Sequence, residues 1–505
     1  MTPEVAQSHR DSCWISERCE DGASVSAARR SKHRRQRNYF RVGLPCLRRT
    51  EVKIHEQYGF VARPVGIAPA TRCSTPFHLV PRQKRCSPVA CVRSHRCTRW
   101  NALDEGDSLM IRCLVSCSVS NIFFKAGDDL TIYLDNMAST PIDPRVAMRH
   151  GHAMTEYPGN AHSSEHVFGV EAQEAIDSAA ETLLRLLHSD ADSVTFTPGA
   201  SAALWLAVED AIARTVGRPA HIAATAVEHP ALLGALRRAE REGRIHLTII
   251  AVDETAAPRA DVLEVALAAG VDLLCTMAAN NEVGTITDLA AISTLAARYG
   301  IRHLIDASQA AGRIDMLDTA SADLVVISGA KAYGPRRAGA LVGKLCSHAA
   351  NLAHEVFGSP DVPAAIALAF AMELRAAERK IDEARLAGLR DALQAHLQAA
   401  VPDLRVNGAA GFRLAGSLHV STPHLSGDAA VARLWGRVAV STGAACQSGV
   451  PGPSHVLSAM AIPEWAKEGA VRIGIGRFNT EDEVAQAGEL IAAALKPAAP
   501  ARRYA

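Results

Sequence analysis

No run of about 18 apolar residues occurs anywhere in the sequence, which excludes a simple transmembrane helix. Net charge is also missing. Lys and Arg total 54 against 53 Asp and Glu, leaving a formal +1. No global field therefore draws the chain to nucleic acid or to an anionic membrane. The first 128 residues lack any hydrophobic period of 2 or 3.6 that lasts more than a few positions. They hold nine of the 12 cysteines, yet no CxxC pairs of the kind a zinc module uses. No secretory signal precedes them, which argues against a disulfide domain. They are not poor in acids either, since Glu17, Glu20 and Asp21 are present, so a transit peptide is disfavoured. Methionine is scarce as well: Met1 and Met110 are the only ones before Met137. Residues 1–128 read as a disordered or wrongly assigned extension, with translation starting at Met110 or later.

After residue 128 the composition changes. The chain becomes Ala-rich and regular, and only Cys275, Cys346 and Cys446 remain. Lysine falls to five while arginine stays abundant. Overall, 505 residues with 48% hydrophobic and 21% charged side chains suit a soluble globular enzyme of two or three domains. Short apolar runs alternate with amphipathic stretches, the pattern of an α/β domain around a mainly parallel sheet. Strands are predicted at 194–196, 221–225, 271–277, 301–305 and 323–327. A helix starts near Ser201, and another, capped by Thr287, runs to Tyr299 and closes at Gly300. A long helical region follows over about 364–400. Its paired charges, such as Glu373 and Arg375, read as a solvated face. A smaller mixed α/β region then runs to about Leu495, and 497–505 read as a frayed tail.

Polar residues gather just past the predicted strand ends: Ser201, His229, Asn281, Asp306, Gln309, Ser328 and Lys331. In open α/β sheets that edge binds ligands. Lys331 follows an apolar strand, and a lysine in an arginine-preferring chain offers an amine able to form a Schiff base. Asp306 reads either as a turn residue or as a carboxylate that keeps a pyridine nitrogen protonated. Asn281 and Gln309 offer hydrogen bonds to a ring oxygen. His229 offers a stacking face, or is simply the turn residue before Pro230. The turn Gly199-Ala200-Ser201 opens a helix straight after a strand and can cradle a phosphate. Cys446 lies among small residues, from Val440 to Gly449. That setting favours an exposed, reactive thiol once its thiolate is stabilised. Arg472, on the predicted strand 471–475, can clamp a carboxylate with two parallel hydrogen bonds, or make a surface ion pair.

These residues fall in ordered motifs. Tyr133-Leu134-Asp135-Asn136-Met137-Ala138-Ser139-Thr140-Pro141 resembles the opening of the cysteine desulfurases, a branch of the class V aminotransferases. Gly159-Asn160, Val227-Glu228-His229-Pro230, Asn280-Asn281-Glu282-Val283-Gly284, Asp306-Ala307-Ser308-Gln309 and Ser328-Gly329-Ala330-Lys331 follow in the family's order. The Cys446 loop, Pro453-Ser454-His455 and Val471-Arg472-Ile473 complete the series, so the similarity covers roughly residues 131–495.

The resemblance implies a PLP-dependent transferase of fold type I: a large, mainly parallel-sheet domain plus a smaller α/β C-terminal domain, normally in a homodimer. On this reading 129–143 form an arm joining the small domain, 144–378 the large PLP-binding domain and 379–496 the small domain with the Cys446 loop. Lys331 would carry pyridoxal 5'-phosphate (PLP) and move protons. Asp306 would pair with the ring nitrogen, His229 would stack, and Asn281 and Gln309 would meet the phenolic oxygen. Ala200, Ser201 and Ser328 would hold the phosphate. Arg472 and Asn160 would bind the substrate, and Cys446 would take sulfur from L-cysteine as a persulfide, releasing L-alanine. The partners implied are L-cysteine, a sulfur-acceptor protein and a second copy of the chain, in the cytoplasm, with no direct nucleic-acid or membrane contact.

The sequence departs from the family pattern in the phosphate cup. Ala330 stands where the family usually has His, and Ser201-Ala202-Ala203-Leu204 replaces the usual Thr-Glu-Ser-Asp. A Gly- and Arg-rich stretch is shortened, with Gly358-Ser359 as its remnant and Ser359 reaching the phosphate in the other subunit. Weaker PLP binding is expected, each lost hydrogen bond to the charged phosphate being worth about 1.5–3 kcal/mol. The same departures allow a divergent, low-activity or inactive paralogue that serves as a binding scaffold. Selenocysteine lyase and another class V transfer reaction are further alternatives. Transamination has no use for Cys446, whereas sulfur transfer depends on it.

Overall fold

The computed structural model describes residues 131–315, 322–443 and 453–497. The expected extension over 1–128, the residue Cys446 and all but the first position of the expected tail lie outside the described residues. The chain opens with β1 (Ile132–Tyr133), α1 (Pro144–Glu156) and α2 (Val167–Leu186). Strands and helices then alternate: β2 (Val194–Thr197), α3 (Ala200–Arg214), β3 (Ala220–Thr225), α4 (Pro230–Arg241), β4 (Ile245–Ile250), α5 (Ala260–Ala268), β5 (Leu273–Met277), α6 (Leu289–Arg298), β6 (Arg302–Asp306), β7 (Leu324–Ser328) and β8 (Gly339–Val342). Helices α7 (Ser347–Phe357) and α8 (Val362–Ala400) follow. The last elements are β9 (Arg405–Val406), β10 (Ser417–Ser421), α9 (Gly427–Leu434), β11 (Val438–Ala439), α10 (His455–Ala459), α11 (Glu464–Glu468), β12 (Ala470–Gly474) and α12 (Glu481–Leu495).

A seven-stranded sheet runs in the order β2-β8-β7-β6-β5-β3-β4. Neighbours from β7 to β4 pair in parallel, and only β8 runs against its two partners. Strands β5 and β7 are buried along their whole length, which is why they read as near-continuous apolar runs. The parallel arrangement places the carboxyl ends of β3, β5, β6 and β7 along one edge, where the motif residues begin.

A second sheet, β12-β10-β9, is antiparallel, and β1 pairs in parallel with β11. Ile132 and Leu134 pack into the same apolar cluster as Leu418, Val471 and Ile491. Helix α8 serves two cores. Its first part contributes Val362, Ile366, Leu368 and Met372 to the core under the large sheet, and its second part contributes Leu386, Leu389, Leu393 and Leu397 to the other. The spacing of those leucines is the 3.6-residue period of one buried stripe.

Two details differ from expectation. Helix α6 is capped by Asp288, whose carboxylate accepts from Ala291 N at 3.1 Å, and not by Thr287. Thr287 precedes the cap, its own N–H donating to Ala278 O. Arg375 is not on a solvated face. It is 1% exposed and ion-paired with Asp382 and Glu383 at 2.5 and 2.6 Å, with its guanidinium over the Tyr333 ring. Glu373 does face solvent, paired with Arg185.

Candidate active site

Past the strand ends a small cavity is lined by His229, Met277, Ala279, Asn281, Asp306, Ser308, Gln309 and Lys331. Five of the sequence candidates therefore meet in one place. Lys331 sits on a single 3-10 turn directly after β7. Its Nζ donates to Met137 O at 3.0 Å and to Ala138 O. Gln309 Nε2 donates to the same Met137 carbonyl at 2.8 Å. Asp306 ends β6, is 5% exposed, and accepts from Ser308 N at 3.0 Å. His229 caps α4, its Nδ1 accepting from Ala231 N at 3.1 Å. In the neutral ring the proton then lies on Nε2. Burial pulls the His229 pKa below its ordinary value; the carboxylate of Asp306 opposes this, and the charges of Lys331 and His455 add to it. The ring is neutral near pH 7.

The other candidates fall into two groups. Ala200 and Ser201 open α3, whose N-cap Gly199 has φ +105. Gly339 pairs with Thr197 on one side and Ser328 on the other, so the turn and Ser328 lie level across adjacent strands. A Cβ on Gly339 would stand 2.5 Å from the carbonyl carbon of Gly199, so only glycine permits that approach. Arg472, on β12, is 1% exposed. It donates to Asp135 Oδ1 at 2.9 Å and to the Asn281 carbonyl at 3.2 Å, which brings the second sheet to the cavity's edge. Its buried Nε has no partner among the described residues. Asn160 and Ser359 do not line the Lys331 cavity. Asn160 is exposed and accepts from His162 N, and Ser359 lines a separate cavity beside β2, 3.4 Å from His162.

Residues 132–349 match the Aminotransferase class-V family. A cysteine desulfurase IscS of Anaeromyxobacter dehalogenans (strain 2CP-C) is 34% identical over 367 residues, 70% of this chain and 90% of that protein. The chain belongs to the cysteine desulfurases. A solved NifS-like protein superimposes with TM-score 0.64 at 26% identity, covering 72% of this chain and 99% of its own. SspA in complex with cysteine shares the fold at TM-score 0.59 and 23% identity, over 69% of this chain and all of that one. The desulfurase is thus a PLP-dependent enzyme of fold type I, and the scaffold alternative is not favoured.

The cavity of this desulfurase fits PLP. Three buried oxygens around it have no hydrogen-bond partner among the described residues: Asn281 Oδ1, Ser308 Oγ and Gln309 Oε1. Buried polar atoms are rarely left unpaired, so an aromatic heterocycle with polar substituents completes the set. Asp306 supplies a buried carboxylate for a ring nitrogen, and Lys331 an amine.

Two neighbours received no role from the sequence, although both stand in its motifs. Glu228 is fully buried, bonded to Thr225 Oγ1 at 2.6 Å and to Met277 N at 2.9 Å. Burial, together with the charge of Asp306, pushes its carboxyl up to about 8. Glu282 is 2% exposed and bonded to Ser454. Next to an assigned residue, an acid reads as an ordinary polar position until its burial is known. Arg313 was not singled out at all. Its guanidinium donates to the Lys331 carbonyl at 3.0 Å, and burial pulls its pKa down.

Proposed function

We propose that this desulfurase converts L-cysteine to L-alanine with Cys446 as the sulfur-accepting nucleophile and Lys331 as the proton-transfer residue. When bound, PLP supplies an electron sink that lets the substrate's carbon–sulfur bond break. Asp306 holds a proton on the ring nitrogen, neutral His229 covers one face, and Asn281 and Gln309 hold the phenolic oxygen. Ala200 and Ser201 at the start of α3, with Ser328, take the phosphate. Arg472 takes the substrate carboxylate. Asn160 belongs to the substrate side, and Ser359 to the phosphate of a second subunit.

Sulfur transfer balances without an outside reductant. The Cys446 thiolate attacks the sulfur of L-cysteine and a sulfur–sulfur bond forms. The pair from the carbon–sulfur bond passes to carbon, which takes up a proton supplied through Lys331. The products are L-alanine and a persulfide on Cys446. A persulfide must be handed on, so a sulfur-acceptor protein is the partner. The SspA structure solved with cysteine supports L-cysteine as the ligand class. The reading also includes a homodimer, a cytoplasmic location, and the division into an arm (129–143), a large domain (144–378) and a small domain (379–496). The last boundary would fall inside helix α8.

The observation that carries the reading is the set of three unpaired buried oxygens around Lys331 and Asp306. Its test is alanine release from L-cysteine and added PLP by the wild type and by Cys446→Ser. Alanine with matching sulfide from the wild type and none from the variant supports it; equal alanine from both would remove Cys446 from the mechanism.

A further inference from the structure

The large sheet splits between two strands beside the Lys331 cavity. Pairing of β3 with β5 stops at Ala224 and Cys275. Past that point the β3 chain stays with β4, the N–H of Ala226 donating to Ile250 O at 2.9 Å. Strand β5 instead stays with β6 as far as Met277 and Asp306. The buried N–H of Met277 therefore needs an acceptor other than β3, and Glu228 supplies it. Glu228 Oε1 accepts from Met277 N at 2.9 Å. The same oxygen accepts at 2.6 Å from the hydroxyl of Thr225, the last residue of β3. One carboxyl oxygen thus spans the two strand ends at the split, and Glu228, Thr225 and Met277 are all buried.

Cavity residues border the split. His229 follows Glu228 directly, caps α4 and lines the cavity. Met277 lines it too, in register with Asp306. The backbone of Glu228 is held as well. Its N–H donates to Thr225 O at 3.3 Å, and its carbonyl accepts from His455 Nε2 at 2.9 Å. Side chain and backbone together fix the residue just before His229. Hydrogen bonds do this, and charge does not: burial, with Asp306 facing it, keeps the carboxyl largely protonated near pH 7.

We propose that Glu228 is a positioning residue for the cofactor, its carboxyl bonded to the ends of β3 and β5 and so fixing the His229 ring in the wall of the Lys331 cavity. The inference rests on the reading that His229 covers a face of PLP there. A Gln keeps the acceptor oxygen and the volume, and puts an amide nitrogen where the protonated acid has a hydroxyl. An Ala leaves Met277 N and Thr225 Oγ1 without this acceptor.

The test is PLP affinity of the full chain, read as an absorbance titration, with the urea unfolding midpoint measured alongside. Glu228→Ala should weaken PLP binding about tenfold, and Glu228→Gln should stay within about threefold of wild type. His229→Ala should also weaken it about tenfold. The double variant Glu228→Ala/His229→Ala should be no more than about twofold worse than His229→Ala, because both changes act through one ring. Leu393→Ala, in the other core, should lower the urea midpoint and leave PLP affinity within about twofold of wild type. That control separates positioning from general loss of stability, and a tenfold loss of affinity in it would overturn the proposal. Wild-type affinity in Glu228→Ala overturns it, and so does a Gln variant as impaired as the Ala variant. A double variant showing the full product of the two single losses places Glu228 outside the action of His229 and overturns it too. If Glu228→Ala does not fold, Thr225→Val, which removes one of the two donors, decides. Its PLP binding should be about threefold weaker, and wild-type affinity there overturns the idea. Unchanged PLP affinity in His229→Ala removes the stacking reading, and this one with it, whatever Glu228→Ala does.

Discussion

Arg472 and Asp135 form an ion pair whose side chains are 2% and 20% exposed, at the meeting point of β12 and the chain's opening segment. A guanidinium there can keep Asp135 with one nitrogen and take a carboxylate with others, a division that a lysine's single ammonium cannot make. Arg472→Lys should therefore raise KM for L-cysteine about 10- to 100-fold, with PLP absorbance unchanged. Steady-state kinetics on the loaded enzyme checks it, and an unchanged KM would place the carboxylate elsewhere. At this scale the sequence was most legible where a residue's role follows from its backbone position. Lys331, Asp306 and His229 stand at strand ends, and strand ends are readable. Glu228 and Glu282 were not legible. Both are almost wholly removed from water, and adjacent residues in a turn give no sign of that.

Among the elements, β8 decides how the turn before α3 is built. It runs antiparallel between β2 and β7 and brings Gly339 against Gly199 and Ala200. Gly339→Ala would press a methyl into the backbone of that turn and displace the start of α3. PLP uptake, followed as an absorbance titration, should weaken about tenfold, and stability should fall by about 1–3 kcal/mol. Wild-type PLP affinity in that variant would mean the turn is not part of the phosphate site. Five of the seven strands of the sheet were readable because they are short apolar runs with abrupt ends; β4 and β8 were not among the expected strands. The cap of α6 was misread by one residue. Thr287 and Asp288 are both good caps, and the helix starting at Leu289 puts Asp288, not Thr287, where its side chain accepts from Ala291 N.

Over the whole molecule, α8 joins two cores, and a charged cluster braces the junction. Arg145 bonds Asp143 at 2.8 Å and Glu378 at 2.6 Å, while Arg477 reaches Asp143, Glu378 and Asp382. The paired guanidinium of Arg145, then that of Arg477, holds the Glu378 carboxyl down at about 2. Glu228 acts on stability in the opposite sense. Its folded-state pKa of about 8 lies above the ordinary 4.5, so the folded chain keeps a proton that the unfolded chain releases. Stability therefore falls as pH rises from about 4.5 to about 8 and levels off above. Glu228→Gln removes this titration and keeps an oxygen for Thr225 and Met277 N. Relative to wild type it should gain roughly 2–4 kcal/mol at pH 8.5 and little at pH 4.5, read from urea unfolding at both values. An equal difference at the two pH values would show that Glu228 does not carry the raised pKa.

The sequence by itself determined which polar residues follow the strand ends and the alternation of strands and helices. Both are local: an apolar run, a turn, and a polar residue at its end are contiguous along the chain. It also carried enough ordered motifs to place the family. Tertiary structure alone decided which of those residues share a cavity, because convergence depends on sheet order. It brought Met137 and Ala138 onto Lys331, and Asp135 onto Arg472, across more than 190 and 330 positions of chain. It buried Arg375, which sequence read as solvated, because a helix periodicity does not reveal what packs on each face. It also set Glu282 against Ser454, a contact between residues far apart in sequence that only folding brings together.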